Sequence, residues 1–384
     1  MNETMTPAER INAAIALEQP DRVPVAPLFI YFLAHYDGIG AAEFLRDPDK
    51  QVAAAERAFA RLGGWDAWYA VPGLSTPTTL KFLWPMEVRV PGEGLPEDAP
   101  LTQLHEREVM TPEDYDAIVA DGWDQWYAGY YQRLYPGRDL RPQLRADMRR
   151  TQETLMAFYQ RWEVERQVPL LQWQRLVVPA GEVFSFGRTF YQFALDLATV
   201  PEKVTRAAEV ATEAIIRRTV GSAGGTRGRK VWVSGWRSGS GFLSPRQCAA
   251  FVLPNLKRLL EAMVGEGITP VLHFDAEWTR VLHLLRQLPA KKCLLALDQL
   301  TDMYKAKEIL GDHTCLMGNI APQLLALGTV DEVVAECRRL IEVVGKGGGF
   351  ILSSGCEVPY NAKPENVAAM LEVAREYRPA SAKT

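Results

Sequence analysis

Residues 269–278 read TPVLHFDAEW, an apolar run that ends in a histidine and an aspartate two positions apart. Three further apolar runs follow it: CLLALDQ at 293–299, TCLMGNI at 314–320 and GFILSSG at 349–355. Stretches with helical spacing, such as TVDEVVAECRRLIEVVG, separate these runs. Strands that are apolar on both faces and alternate with helices predict a parallel sheet covered by helices.

Four more strands are predicted upstream. They are RVPVAPLF at 22–29, WDAWYA at 65–70, PLLQWQRLVV at 169–178 and KVWVSGW at 230–236. Eight strands separated by helices predict closure into a (β/α)₈ TIM barrel. An open doubly wound sheet is the structural alternative, but it usually carries an early glycine-rich phosphate turn. The chain contains neither GxGxxG nor GxxxxGK.

We expect one domain over residues 1–384, with a helix-rich insertion at about 72–165 after the second strand. The insertion is predicted to contain an antiparallel ribbon around KFLWPMEVRV, residues 81–90. It either shapes the functional site or only elaborates the packing, and both interpretations remain open. A first helix is predicted from Thr6, because Thr6 and Glu9 have the spacing of a capping box.

Composition limits the class of protein. The net charge is −4 and no Lys/Arg stripe is present, so no nucleic-acid partner is expected. The apolar runs are too short to span a bilayer, and the first residues lack the apolar core of a secretory signal. We therefore expect a cytoplasmic protein without a membrane partner. Five widely spaced cysteines do not predict a disulfide framework.

Ligand-type residues collect at the predicted strand ends, where a (β/α)₈ barrel carries its active site. His273 and Asp275 lie two apart and so share one face of a strand. Cys356 follows the last strand directly. Imidazole, carboxylate and thiolate are all zinc ligands, and three of them with an open position are typical of a catalytic zinc. A chance His-x-Asp pair and a buried, inert Cys356 remain the alternatives, and Glu277 is either a further ligand, a base or a helix cap.

Several segments resemble a known family. They are residues 9–25 (ERINAAIALEQPDRVPV), 270–278 (PVLHFDAEW), 301–311 (TDMYKAKEILG), 315–334 (CLMGNIAPQLLALGTVDEVV) and 347–370 (GGGFILSSGCEVPYNAKPENVAAM). They resemble the uroporphyrinogen decarboxylase superfamily, particularly its corrinoid-dependent methyltransferase branch. The resemblance implies a (β/α)₈ barrel, in agreement with the strand count.

The resemblance disfavours the decarboxylase itself, which carries an arginine-rich segment after its first strand to hold substrate carboxylates. Residues 27–38 of this chain, PLFIYFLAHYDG, contain no arginine. Thiol-alkylating members of the methyltransferase branch hold zinc with His-x-Cys and a distant Cys. His273 and Cys356 match that pattern, but Asp275 replaces the second thiolate. One thiolate with a carboxylate leaves a harder metal, better suited to polarising an ether oxygen.

The resulting hypothesis is a methyltransferase component of an O-demethylase system. It would move methyl from a methoxylated aromatic small molecule to cob(I)alamin on a separate corrinoid protein, with Zn²⁺ on His273, Asp275 and Cys356. Expected walls for the substrate are Tyr31, His35, Tyr36, Trp68, Trp173 and Trp236. Arg237 is the candidate for meeting a substrate carboxylate. Core packing is the more frequent role of each aromatic residue.

Three alternatives stay open at the level of sequence. One is a thiol methyltransferase that takes methyl from methylcobalamin, and a second is a metal-free lyase similar to uroporphyrinogen decarboxylase. The third is a non-catalytic carrier or sensor of aromatic ligands. A homodimer is compatible with the sequence, which does not decide the oligomeric state.

Overall fold

The computed structural model describes residues 3–138, 141–221 and 228–376. Its strands are β1 Glu87–Pro91, β2 Gly94–Leu95, β3 Gln103–His105, β4 Arg175–Val177, β5 Lys230–Ser234, β6 Thr269–Phe274, β7 Leu294–Leu297, β8 Cys315–Ile320 and β9 Phe350–Ser354. β4 to β9 form a parallel sheet in their chain order. Consecutive parallel strands in sequence order are the arrangement expected of successive βα units.

Two short extended segments close this sheet into a barrel. Val25 forms a parallel bridge with Leu352 of β9, and Asp66 donates its backbone N–H to the Val25 carbonyl at 2.8 Å. Trp68 in turn bridges Leu170, just ahead of β4. The circuit contains eight strand positions, and all eight coincide with the predicted apolar runs. The predicted (β/α)₈ fold is therefore confirmed.

Side chains inside the barrel alternate with side chains that face the helices. Ala67, Tyr69, Trp232 and Val271 belong to the inner cluster, as expected when every second residue of a strand faces inward. Helix Pro7–Ile15 adds Ile11 to the same cluster and so packs against one end of the barrel. The predicted capping box of Thr6 and Glu9 is present at its start.

Helices cover the outside of the barrel. The α-helices after the first are Tyr31–Tyr36, Ala41–Arg46, Pro48–Arg61, Pro77–Leu83, Glu113–Asp121, Trp123–Leu134, Arg141–Tyr159, Ser185–Gly187, Phe190–Thr199, Pro201–Gly221, Pro245–Gln247, Leu253–Gly265, Met303–Leu310, Pro322–Leu327, Val330–Val343 and Pro364–Glu376. π-Helical segments occur at Gln160–Glu165, Ala180–Phe184 and Cys248–Val252, and a 3₁₀ helix occurs at Thr279–Gln287. None of the described helices combines the length and the apolar character needed to cross a bilayer.

The segment 72–165 contains helices and a small ribbon in which β1 pairs antiparallel with β3. The predicted ribbon started too early, at residue 81. The first part of that stretch is helical, because Thr76 caps a helix that has Pro77 at its first position. Farther on, Gly122 (φ +83°) separates helix Glu113–Asp121 from helix Trp123–Leu134.

A buried ion network ties the first helix to the barrel wall. Asp66 lies at the start of the second barrel segment and accepts hydrogen bonds from Arg10 (2.7 Å) and Arg22 (2.6 Å). Arg10 also donates to Asp21 at 2.6 Å, and none of its side chain is exposed. Removing one partner of a buried ion pair is strongly destabilising, because the other charge stays buried.

Candidate active site

The three predicted ligands lie together at the carboxyl ends of the barrel strands. His273 is on β6, Asp275 follows that strand directly, and Cys356 follows β9. Their ligand-type atoms all lie within 4.8 Å of one another. His273 Nε2 and Asp275 Oδ1 are 3.2 Å apart. Barrel closure produces this arrangement, since β6 and β9 are not neighbours in the sheet.

Tyr69 contacts the imidazole of His273 from inside the barrel. Its hydroxyl is 2.5 Å from His273 Nδ1, and the Tyr69 side chain is buried inside the barrel. The Trp232 ring lies 4.4 Å from the imidazole, so the ring is fixed on two sides. A metal on Nε2 requires the proton to sit on Nδ1, from where it can donate to the Tyr69 oxygen. Sequence reasoning missed Tyr69, although it is the last residue but one of the predicted strand WDAWYA and its side chain faces the inside of the barrel.

Asp275 has one buried oxygen, Oδ2, without a hydrogen-bond partner among the described residues. Burial alone would raise the pKa of this carboxyl, but the neighbouring His273, the contact with Cys356 and the Arg175 guanidinium together lower it. Asp275 is thus an ionised group with free acceptor capacity inside a low-dielectric site. A cation is the natural partner for such an oxygen.

Cys356 differs from the other cysteines. All five thiols are free, but four are buried and Cys356 alone is partly exposed. Burial and the adjacent Asp275 raise the pKa of the Cys356 thiol well above its ordinary value. A positive charge in the site would favour the thiolate, which is the form that binds metals.

The residues fit a zinc ion. Two ligands that each lie about 2.0–2.1 Å from a tetrahedral zinc are roughly 3.3 Å apart, close to the separation of His273 and Asp275. The unsatisfied Oδ2 of Asp275 and the nearby Sγ of Cys356 complete a mixed donor set. Three protein ligands leave a fourth position for a substrate atom.

Two acid groups, the part-buried Glu357 and the buried Asp298, lie beside this centre. Glu357 accepts the backbone N–H of Tyr31 at 2.8 Å, and burial raises the pKa of its carboxyl to about 7. Asp298, after β7, accepts the backbone N–H of Leu300, and burial raises its pKa as well. Glu277 lies outside this group. It accepts hydrogen bonds from Ser240 and from the backbone of Thr279, so it caps the following 3₁₀ segment.

Three of the predicted aromatic walls do not face the mouth. Trp68 points outward because its neighbours Ala67 and Tyr69 take the inward positions. Its ring packs in an aromatic cluster with Phe59, Trp65, Phe158 and Trp162. Trp173 precedes β4 and contacts Tyr159 and Arg229, near the opposite end of the barrel. Tyr36 stacks on Phe32 in the outer core.

The remaining predicted residues lie around the mouth at differing depths. Tyr31 is buried against the insertion, in a cluster with Val88 and Val90 of β1. His35 is exposed, 4.8 Å from the Tyr360 ring. Trp236 follows β5, and its ring is 4.4 Å from that of Trp84 in the insertion.

Arg237 is already engaged, because it forms an ion pair with Glu106 and donates to the Ser185 carbonyl. It is therefore poorly placed to take a substrate carboxylate. A second arginine, Arg175, was missed by sequence reasoning. It is buried on β4, within 3.9 Å of Glu182. The sequence could have indicated Arg175, because it is the one charged residue in the predicted strand PLLQWQRLVV.

Comparison with known families agrees with this architecture. The family profile described as "Uroporphyrinogen decarboxylase (URO-D)" matches residues 185–377, which span β5 to β9 and the three candidate ligands. The chain belongs to this family. The N-terminal part, including the insertion, lies outside the match.

Individual relatives match over shorter lengths. Uroporphyrinogen decarboxylase of Syntrophotalea carbinolica is 32% identical over 135 residues, 35% of this chain and 38% of the relative. The enzyme of Methylococcus capsulatus is 31% identical over 147 residues, 38% of this chain and 41% of the relative. The chain thus matches about two fifths of the length of these curated relatives.

A solved structure resembles nearly the whole chain. It is a methyltransferase from Methanosarcina mazei, with a TM-score of 0.69 and 20% sequence identity, and the match covers 97% of this chain and 99% of the other. At this identity the likeness shows a shared fold that includes the N-terminal half.

Proposed function

We propose that this protein is a zinc-dependent methyltransferase that moves a methyl group from a methoxylated aromatic compound to cob(I)alamin on a partner corrinoid protein. The observation that carries the proposal is the convergence of His273, Asp275 and Cys356 at the barrel mouth. The full-length likeness in fold to a methyltransferase supports the same class of reaction.

The donor set supports an oxygen rather than a sulfur as the reacting atom. It combines one imidazole, one carboxylate and one thiol. Bound zinc would supply positive charge beside the ether oxygen, and so help the departing phenolate, whose conjugate acid has an ordinary pKa near 10. The partner's cob(I)alamin would supply the electron pair that accepts the methyl group, and the electron pair of the broken methyl–oxygen bond would stay on the phenolate.

The chain itself would contribute positioning and a dry environment. Tyr69 orients His273 through Nδ1, which leaves Nε2 directed at Asp275. Trp232 covers the imidazole, and both aromatic side chains are buried. Preorganised charged groups in a water-poor site stabilise developing charge more strongly than they would in water.

The partner protein needs an accessible docking surface at the mouth of the barrel. Leu300, in the loop after β7, is 61% exposed, and Phe242, in the loop after β5, is 38% exposed. Both loops lie at the end of the barrel that carries the candidate ligands. Exposed apolar side chains grouped on one rim are typical of a protein contact.

The decarboxylase activity that gives the family its name is less well supported. Residues 27–38 contain no arginine that could hold the carboxylates of a porphyrinogen. Arg237, near the mouth, is neutralised by Glu106. A thiol substrate is also less well supported, since Asp275 stands where a second thiolate would keep zinc-bound sulfur nucleophilic.

The test begins with metal content. Elemental analysis is expected to find about one zinc per chain, lost in His273→Ala and Cys356→Ala. Cys337→Ala is the matched control, because Cys337 is a buried thiol on helix Val330–Val343, and it should keep the metal. Methyl transfer from methoxylated aromatics to a corrinoid protein is then followed by the cobalamin spectrum. A protein that neither contains nor takes up zinc, or that methylates no corrinoid protein, would refute the proposal.

A further inference from the structure

Arg175 is a buried cation that the proposed reaction does not yet use. It lies on β4 and is the register partner of Trp232, whose ring covers His273. Its side chain is only 6% exposed. Arg175 Nη2 donates to Ser234 Oγ at 3.2 Å, and Ser234 is the register partner of His273. The guanidinium is therefore inside the barrel, near the level of the candidate metal centre.

The charge of Arg175 is only loosely matched. Glu182 Oε2 is 3.9 Å away, beyond hydrogen-bonding distance, and is itself without a hydrogen-bond partner in the described chain. Arg175 Nε is buried and also lacks an acceptor among the described residues. A buried donor without an acceptor is costly and calls for an explanation. A ligand that supplies the missing acceptor would remove that cost.

The surroundings of Arg175 are those of an anion site beside an aromatic wall. Its guanidinium carbon lies 3.8 Å from the centre of the Trp84 ring. Trp84 in turn lies against Trp236, at the end of β5. A guanidinium that is stacked on a ring keeps its N–H edge available and in a fixed plane, which is the geometry that recognises carboxylates.

The distance to the metal centre suits a single aromatic ring. β4 and β6 are separated by one strand, so their backbones are about 10 Å apart at ~4.8 Å per strand. Arg175 pairs with Trp232, which pairs with Val271, so its backbone lies one inward-facing position below His273. A ring with an ether oxygen at one end and an anionic group at the other would span this gap.

We infer that Arg175 binds the anionic group of the methyl donor, and that the donor is a methoxylated aromatic carboxylate. This inference rests on the proposed function for the identity of the reacting end. Arg175 takes the role that the sequence suggested for Arg237. The two arginines differ in that Arg237 is already held by Glu106, whereas Arg175 keeps a free buried donor.

The test compares two ligands that differ in charge alone, 4-methoxybenzoate and 4-methoxybenzamide. Calorimetry on the zinc-loaded protein measures the Kd of each. The wild type is expected to bind 4-methoxybenzoate at least tenfold more tightly, or by about 1.4 kcal/mol, since only this ligand offers a charged acceptor to the guanidinium. In Arg175→Gln the preference should fall below twofold, and in Arg175→Lys it should be intermediate. Arg237→Gln is the matched control and should retain it.

The inference is overturned if the wild type binds both ligands equally, binds neither, or keeps its preference in Arg175→Gln. Arg175→Lys guards against a folding defect, because it retains the charge. The outcomes also separate this inference from the proposed function. Demethylation of 4-methoxybenzoate and 4-methoxybenzamide with equal kcat/KM would remove the role of Arg175 and leave the methyltransferase intact. A preference for 4-methoxybenzoate that depends on Arg175, without methyl transfer, would support the role of Arg175 in binding the anion and refute the methyltransferase proposal.

Discussion

The hydrogen bond between Tyr69 and His273 provides the sharpest test of the candidate metal centre. Tyr69→Phe removes the hydroxyl that lies 2.5 Å from His273 Nδ1 and leaves a ring that can still pack at 4.9 Å from Trp232. Loss of such an outer partner typically weakens metal binding 10- to 100-fold, or about 1.4–2.8 kcal/mol.

The assay is a competition between the protein and a chromophoric zinc chelator, which gives the zinc Kd for each variant. Tyr130→Phe is the matched control, because Tyr130 is also buried and donates its hydroxyl to the Pro85 carbonyl at 2.6 Å, in the insertion. It should lose about 1 kcal/mol of stability and keep its zinc affinity. If Tyr69→Phe binds zinc within twofold of the wild type, Tyr69 does not orient the imidazole.

Three further predictions concern stability and docking. Asp66→Asn should lower the free energy of unfolding by about 3–5 kcal/mol, since the buried Arg10 and Arg22 both lose the carboxylate that they share; a loss under 1 kcal/mol in urea titrations would contradict this. Burial tends to raise the pKa of the Asp21 carboxyl, but hydrogen bonds from Arg10 and from the backbone outweigh burial, so the pKa of Asp21 is lowered on folding. Its stabilisation is thus complete at pH 7 and is lost as the pH falls below about 3.9, and the stability curves of wild type and Asp21→Asn should converge in acid. Leu300→Asp should weaken corrinoid-protein binding at least tenfold. Val343→Asp is the control and should not weaken it, because Val343 is also an exposed apolar residue but ends the helix that precedes β9, at the opposite end of the barrel. Equal affinities of the two variants by calorimetry would exclude the rim as the docking surface.

The fold was predictable because its determinants are local. Each barrel strand is a short apolar run, and the helices between them have caps that can be read directly, such as Thr6 with Glu9 and Thr329 with Glu332. The predictions weakened in the insertion. There, one residue such as Gly122 decides whether a helix continues, and Pro77 decides where one begins.

The site was predictable only in part. The i, i+2 spacing of His273 and Asp275 and their place at a strand end pointed to one face of the barrel. Cys356 came from its place after the last strand and from the family resemblance. The prediction of the aromatic residues that line the substrate site was less accurate, because strand register places the Trp68 side chain outside the barrel and the Tyr69 side chain inside it. A shift of one residue reverses the face of a side chain.

The sequence by itself determined the strand order, the barrel class and the ligand types, since these depend on composition and spacing along the chain. Only the tertiary structure decided which side chains meet. Tyr69 lies 204 positions from His273 along the chain, yet barrel closure brings their polar atoms to 2.5 Å. How closely an arginine is paired is likewise a property of its neighbours in space: Arg237 forms a close ion pair with Glu106, whereas Arg175 is 3.9 Å from Glu182 and has a buried Nε without an acceptor among the described residues.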